Sequence, residues 1–430
     1  MTVLPPVDTL RTLFDAAVAA AQPDRRVPDF LPPPPPGKTV VVGAGKSAAA
    51  MARAVEQVWT GDLSGVVVTR YGHRVPTQHI TVLEAAHPVP DANGMAAAEQ
   101  ILQTVAPLGE GDLVICLISG GGSALLTLPP EALSLELLAD LNRQLLRSGA
   151  DIGDMNTVRK TLSRSSGGRL AAAAYPAQVV ALVISDVPGD NLRAIASGPT
   201  VGDTVTAADA LEILQRYAIA VPPAVLDYLE RDPNPVIAPE DPRLSTTTNH
   251  LIATPQQSLE AAAKRAQELG YTPLILGNAL EGEAQQVGIV HAGIARQVIQ
   301  HQQPIAPPCV LLSGGETTVT VTGTGGKGGR NGEFLLSLAV ALGGAPGIWA
   351  IACDTDGIDG SEDNAGAIIT PQTLAHGAAL GLDARDFLAR HDSYRYFQAV
   401  GALVETGPTL TNVNDFRAIV IDPTLAAIAP

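Results

Sequence analysis

The stretch VVVGAGKSAAAMARAVE occupies residues 40–56. Three valines lead into Gly43, Gly45, Lys46 and Ser47, and a small-residue helical pattern follows. Such a strand-to-helix turn can hold an anion, because the N–H groups at a helix start point outward and an ammonium adds charge. Two nucleotide motifs compete for it. A phosphate-binding loop needs glycine five residues before Gly45, and that position is Val40, inside the strand, so no long cradle exists. A dinucleotide fingerprint fits Gly43-x-Gly45-x-x-Ala48. The next strand, however, ends in Thr69 and Arg70 where an acid for a ribose hydroxyl belongs, and Lys46 would crowd a pyrophosphate. A nicotinamide cofactor is therefore the weaker occupant.

Four further strand-like runs end in comparable residues. One ends in Ser119, Gly120, Gly121, Gly122 and Ser123, another in Asp186, Gly189 and Asp190. A third ends in Ser313, Gly314, Gly315 and Glu316, and the last in Asp354, Asp356 and Asp359. In a parallel sheet the carboxyl ends of the strands open on one edge, where ligands bind. Glycine lets phosphate oxygens come close to backbone N–H groups. Together these ends predict an active cleft.

The charged groups suggest roles. Asp354 and Asp356 could present oxygens to a Mg²⁺ ion bridging phosphates; a calcium loop starting at Asp354 fails because Ala365 sits at its twelfth position. GTGGKGGRNGEF (323–334) carries Lys327, Arg330, Asn331 and Glu333 and reads as a loop that closes over phosphate, with Arg330 as a clamp. Residues 154–171 carry Asn156, Arg159, Lys160, Arg164 and Arg169, and arginine forks bind carboxylates. His87 precedes a proline and is placed in a loop, as a cap or a substrate contact. Ser123 is no hydrolase nucleophile, since that elbow needs glycine at 125 and Leu125 stands there.

The elements that position these groups alternate. Strands are predicted at 39–43, 65–69, 80–83, 113–118, 179–185, 249–253, 273–276, 309–312, 348–353, 366–369 and 417–421. Helical patterns cover 8–21, 46–58, 94–105, 134–148, 256–269, 282–302, 333–342 and 383–390. The alternation predicts an α/β protein with mostly parallel sheets. The Pro- and Asp-rich segment 230–250 marks the boundary between a domain at 1–235 and one at 245–430. Aromatic residues make up only 3% of the 430 residues, so Ala, Val, Leu and Ile must fill the core. A net charge of −16 disfavours nucleic acid and acidic membranes as partners. Cys116, Cys309 and Cys353 read as buried small hydrophobes, and a cytoplasmic location is expected.

At these residues the chain resembles the class II glycerate kinases, the family with a C-terminal MOFRL domain. The matching blocks run from about residue 9 to 421 and include VVGAGKSAAAMA, AAHPVPDANG, LISGGGSALL, MNTVRKTLS, ISDVPGDNLRAIASGPTVGD, LLSGGETTVTVTG, GGRNGEF, DTDGIDGSEDNAGA and TGPTLTNVNDFRAI. The resemblance implies a Rossmann-like N-terminal domain, a smaller α/β MOFRL domain and an active site between them. It implies transfer of the γ-phosphoryl of ATP to D-glycerate, giving 2-phosphoglycerate, with Mg²⁺. The family's lysine and arginine fall on Lys46 and Arg330. On this reading Asp186 or Asp190 accepts the hydroxyl proton or helps hold the ion. Gly120–Ser123 donates N–H groups, and Arg159 or Lys160 takes the glycerate carboxylate. Alanine at Lys46 or Arg330 is expected to lower kcat by on the order of 10²–10⁴ with little loss of fold. Thr161, Ser166, Gly332 and Arg395 depart from the family pattern and bear on substrate affinity and loop stiffness. Many relatives carry a hydroxypyruvate reductase label, which makes an NAD(P)H-dependent reductase the alternative; a nucleotide sensor is the third. The oligomeric state is left open, with a homodimer among the options.

Overall fold

A computed structural model describes residues 4–150, 152–321 and 325–427. The chain forms two compact units, one built from Pro23–Ile252 and the other from the described residues up to Gln22 together with those from Ala253 onward.

The first unit is a six-stranded sheet in the order β3-β2-β1-β4-β5-β6. Its strands are β1 (Thr39–Ala44), β2 (Ser64–Arg70), β3 (Ile80–Ala85), β4 (Leu113–Ile118), β5 (Gln178–Ile184) and β6 (Thr247–Ala253). The pairs from β3 through β5 are parallel, with β1 central between β2 and β4. Strands β1 and β4 are buried along their whole length, which is why they read as unbroken apolar runs rather than alternating ones. Since β6 joins this sheet, the unit ends at residue 252, not within 235–245 as the composition suggested.

The second unit has the order β13-β12-β11-β14-β9-β7, with a short pair of β8 (Gly282–Glu283) and β10 (Thr317–Thr318) beside it. Its strands are β7 (Thr272–Gly277), β9 (Cys309–Gly315), β11 (Ile348–Asp354), β12 (Gly366–Ile369), β13 (Leu403–Val404) and β14 (Asp415–Ile421). In the six-stranded sheet β7 and β9 pair in parallel, and so does the short β8–β10 pair, while β9–β14, β14–β11, β11–β12 and β12–β13 are antiparallel. The expectation of mostly parallel sheets therefore holds for the first unit alone. A strand buried on both faces carries the same apolar signature in either direction, so sequence could not give its sense.

Both faces of this second sheet are covered. Val310, Leu312, Ile351, Phe416 and Ala418 face a layer that includes Leu10, Leu13, Phe14 and Ala17 of the N-terminal helix Pro6–Ala20. Leu311, Ala350, Ala352 and Ile419 face the opposite layer, which contains Phe334, Leu338 and Tyr396. The N-terminal helix thus belongs to the second unit, 230 residues away in sequence from the rest of it. All three cysteines are free and buried, as expected.

Candidate active site

The turn after β1 is closed by its own neighbours. The Gly45 N–H donates to Val68 O (3.2 Å), Lys46 N–H to Gly120 O (2.9 Å) and Ala48 N–H to Gly45 O (3.1 Å). The Ser47 N–H donates to Ser119 Oγ at 3.0 Å. The N–H groups of Gly45, Lys46, Ser47 and Ala48, in the turn where Gly43, Gly45 and Ser47 are expected to bind nucleotide or substrate, thus have acceptors within the protein. The glycines serve close packing. A Cβ on Gly43 would lie 2.2 Å from Leu117 O, and one on Gly45 would lie 2.1 Å from Ser119 Oγ. What the turn presents is the half-buried Lys46 side chain.

Free donors lie one turn away. After β4, Gly121 takes φ 80°, the left-handed conformation that glycine adopts without strain. Among the described residues the N–H groups of Gly120 and Gly121 have no acceptor, and a helical turn, Gly122–Leu125, starts directly after them. Successive N–H groups of this kind form an anion-binding concavity. A Cβ built on Gly121 would lie 3.0 Å from the His87 ring and 3.5 Å from Lys46 Cγ. Lys46, His87 and the two open N–H groups therefore meet at one spot on the carboxyl edge of the sheet. Gly122 is held tight against Ala196, while Ser119 serves as the acceptor for Ser47.

Beyond β5, Asp190 takes φ 54°, and its buried Oδ1 has no hydrogen-bond partner among the described residues. Ala196 and Ser197 also have positive φ, at 50° and 60°. Left-handed backbone is uncommon for such residues and concentrates at functional loops. Ser197 Oγ lies 2.8 Å from Ser123 Oγ, and Asn156 Nδ2 donates to Ala194 O at 3.3 Å. Asn156 is thus a brace for the strained loop, a role its sequence position did not reveal.

The two cations of the MNTVRK segment part company. Lys160 is buried and donates to Asp203 Oδ2 at 2.6 Å, so the expectation that it contacts substrate is corrected. Burial raises the Asp203 pKa, but the Lys160 hydrogen bond and charge outweigh it and hold the carboxyl below its ordinary value. Lys160→Met would strand Asp203, and a stability loss of roughly 3–5 kcal/mol is expected, read as a lower urea midpoint for the first unit. Arg159, by contrast, lines a cavity of about 110 Å³ with His87 and Ser123.

In the second unit the cross-strand register gathers the acids. Asp354 at the end of β11, Asp415 at the start of β14 and Gly315 at the end of β9 are direct register partners. Arg330 opens the helix Arg330–Leu342 and spans them. Its Nε donates to Asp415 Oδ1 (2.7 Å), Nη1 to Glu316 Oε1 (2.7 Å) and Nη2 to Asp354 Oδ2 (2.9 Å). Burial lowers the Arg330 pKa, but Asp415, Asp354 and Glu316 together drive it well above the ordinary value. The expected phosphate clamp is saturated by carboxylates. The loop expected to close over phosphate starts at 323, and its residues Gly323 and Thr324 lie outside the described residues.

Behind Arg330, the fully buried Arg417 donates to Asp415 Oδ2 and Gly314 O and lies 4.9 Å from the Phe334 ring centre. Gly314 and Gly315 are strand residues; a Cβ on Gly315 would lie 2.3 Å from Leu280 N. Glu333 is buried, accepting from Gln285 Nε2 and facing His391 Nδ1 at 2.8 Å. Asn331 Nδ2 donates to Asp415 Oδ1 at 2.8 Å. These residues, expected as ligand contacts, hold the helix in place. Asp415 and Arg417 were not singled out from sequence, although an arginine inside the strand DFRAIVI breaks its apolar pattern.

Asp359 caps the same helix. It accepts the N–H groups of Asn331 (2.9 Å) and Gly332 (2.8 Å). Burial raises its pKa from 3.8 to about 6, against the pull of those two N–H bonds. The folded protein therefore holds this proton more tightly than the unfolded chain does. Ionisation of Asp359 costs stability above about pH 6, on the order of 3 kcal/mol, and that cost fades as pH falls towards the unfolded value. Its carboxyl carbon is expected to titrate with a midpoint near 6 by NMR; a midpoint below 4.5 would contradict this environment.

The donor set does not fit a resident metal. Among the described residues no group of three or more His, Cys, Asp or Glu is placed to hold an ion. Asp354 is committed to Arg330 and to the Asp356 N–H, and Asp356 accepts from Ile358 N. Among the described residues no helix is long and apolar enough to cross a membrane.

A parallel α/β unit with a lysine beside the Gly120–Gly121 turn, and a mixed-sheet unit with an acid-bound arginine, define a two-domain α/β protein. Residues 9–230 match the domain of unknown function DUF4147, and residues 309–415 match the MOFRL family. The chain is 42% identical to the D-glycerate 2-kinase of Thermotoga maritima, over 93% of this chain and 94% of that protein. It is 43% identical to the glycerate 2-kinase of Pyrococcus horikoshii, over 89% and 87%. A protein of Agrobacterium vitis labelled hydroxypyruvate reductase is 55% identical, over 96% and 94%. The crystal structure of the Thermotoga maritima glycerate kinase superposes with a TM-score of 0.86 at 39% identity, covering 96% of this chain and 99% of that one. The chain belongs to the glycerate kinase family composed of DUF4147 and MOFRL domains.

Proposed function

We propose that this chain transfers the γ-phosphoryl group of ATP to the 2-hydroxyl of D-glycerate, giving 2-phosphoglycerate and ADP. The observation that carries the reading is the meeting of Lys46, His87 and the open N–H groups of Gly120 and Gly121 at the carboxyl edge of the parallel sheet. An ammonium and fixed N–H donors stabilise the charge that develops on a migrating phosphoryl, the dominant need of such a transfer. The hydroxyl oxygen bonds to the γ-phosphorus, and the bond to the β,γ-bridging oxygen breaks. ADP leaves with that electron pair, and the hydroxyl proton passes to Asp190 or Asp186. The unpartnered Oδ1 favours Asp190. Mg²⁺ enters as part of the nucleotide substrate and neutralises its phosphates; no protein step is assigned to it. A cytoplasmic setting suits three unpaired thiols.

Arg330 has one exchangeable bond within the second unit. Its contact with Glu316 is the outer one, since the Glu316 side chain is 46% exposed while those of Asp354 and Asp415 are buried. A phosphate oxygen arriving at Nη1 displaces Glu316. Glu316→Gln should therefore lower the KM for ATP about threefold to tenfold, an exposed ion pair being worth roughly 1 kcal/mol. An unchanged KM would show that Nη1 stays with its carboxylate throughout.

The test of the reaction is ADP formation that depends on D-glycerate, with ³¹P NMR to fix the position of the new ester. The reductase reading predicts NADPH oxidation with hydroxypyruvate in the absence of ATP. The acceptors already held by the N–H groups of Gly45, Lys46, Ser47 and Ala48 count against it.

A further inference from the structure

The cavity that Arg159 lines carries two kinds of side chain. The helices Leu135–Arg147 and Ile152–Thr161 supply aliphatic groups, among them Leu138, Leu141, Leu145 and Val158. His87, Ser123, Ser163 and Ser166 supply polar ones. Arg159 is the cation of the lining. Its Nε and Nη2 donate to one oxygen, Asn142 Oδ1, at 2.8 and 2.6 Å, and Nη1 reaches Asn156 Oδ1 only at 3.5 Å. Both partners are neutral. Among the described residues no ion pair engages Arg159, and no Asp or Glu lines the cavity. Burial pushes the guanidinium pKa down, the mark of a cation without a counter-ion. In a protein of net charge −16, a half-buried arginine left with amides alone is a site built for an anion.

Size and walls narrow that anion. At about 110 Å³ the cavity is far below the roughly 300–1,000 Å³ of drug-sized ligand pockets, so a nucleoside triphosphate does not fit. A small acid does. The serine hydroxyls suit a hydroxyl-bearing carbon, whereas the leucine wall suits hydrocarbon and would leave a terminal hydroxyl without a partner.

We infer that this cavity binds small 2-hydroxy acids with the carboxylate on Arg159, and that the leucine wall extends the acceptor range beyond glycerate to acids whose third carbon is hydrocarbon, such as D-lactate and D-2-hydroxybutyrate. The transfer to these acids is the one written above, the 2-hydroxyl oxygen taking the γ-phosphoryl while ADP departs. The inference rests on the proposed kinase reading for its chemistry, and on the cavity alone for its binding claim.

The experiment measures ADP formation with D-glycerate, D-lactate and D-2-hydroxybutyrate, alongside thermal shift with each acid in the absence of ATP. The full chain is compared with Arg159→Gln, Arg159→Lys and Leu138→Phe. In the unsubstituted protein D-2-hydroxybutyrate should be phosphorylated with a kcat/KM within about 100-fold of that for glycerate, the range an exchange of methyl for the near-isosteric hydroxyl spans in an apolar pocket. Arg159→Gln should raise the KM for every acid at least tenfold while the KM for ATP holds. Arg159→Lys should recover part of that loss. Leu138→Phe, at a partly exposed position, fills the apolar end and should lower the D-2-hydroxybutyrate to glycerate preference about tenfold.

A folded Arg159→Gln or Arg159→Lys protein with wild-type acid KM overturns the inference, as does a rise in the KM for ATP instead. If neither Arg159 variant folds, an unchanged preference in Leu138→Phe overturns it. Acid-dependent thermal shifts that vanish in the Arg159 variants, with no ADP formed by the unsubstituted protein, would keep the binding site and defeat the kinase reading. Glycerate-dependent ADP formation that is indifferent to Arg159 and Leu138 would do the reverse.

Discussion

Arg330→Ala is expected to destabilise the second unit by roughly 3–5 kcal/mol, besides abolishing turnover. The substitution leaves Asp354 without a cation and Asp415 with Arg417 alone, both carboxylates being buried. Sequence alone led to the opposite expectation for stability, a lost activity with an intact fold. The difference lies in the three carboxylates on one guanidinium, which nothing in GGRNGEF announces. Urea unfolding followed by Trp349 fluorescence in β11 reads the effect. Arg330→Lys keeps the charge but loses the fork, and should recover part of the stability with little of the rate. A wild-type urea midpoint in Arg330→Ala, combined with lost turnover, would return the residue to a purely phosphate-binding role.

Lys46→Ala should behave differently. The backbone of its turn is fixed by Gly120 O and Ser119 Oγ, neither of which depends on the side chain. A fall in kcat of on the order of 10²–10⁴ is expected, with the melting transition nearly unmoved. Turnover within tenfold of the unsubstituted enzyme would remove Lys46 from the chemistry and leave the Gly120–Gly121 donors to act alone. The two variants thus separate by readout: one through unfolding, the other through rate.

How far the sequence spoke depended on the range of the interaction. Helix Pro6–Ala20 was legible because Leu10, Leu13, Phe14 and Ala17 repeat at helical spacing, and all four are buried. Helix Ala207–Arg216 was missed, although Thr206 and Asp209 form a reciprocal capping box that the sequence displays. The Gly-rich strand ends Gly43–Gly45 and Gly120–Gly122 lie at the carboxyl edge of the first sheet. Which N–H groups were open could not be read, because the acceptors are Val68 O on the neighbouring β2 and Gly120 O in the turn after β4. Asp415 and Arg330 lie 85 positions apart, and only the antiparallel register of β14 between β9 and β11 brings them together. Gly332 departs from the family pattern, yet a Cβ there would lie 2.7 Å from Ser393 Oγ, so its cause is local packing.

The assignment of the first helix to the second sheet carries a consequence for synthesis. Leu10, Leu13 and Phe14 are made well before their partners on β9, β11 and β14, which are translated from residue 309 onward. At about 5–20 residues per second, an intervening stretch of some 290 residues holds that helix waiting for roughly 15–60 s. During this interval a greasy amphipathic segment is tethered to a nascent chain whose own insert, Pro23–Ile252, can already collapse. Chaperone capture of the waiting helix, and faster aggregation when downstream translation is slowed, are what such an order of birth entails.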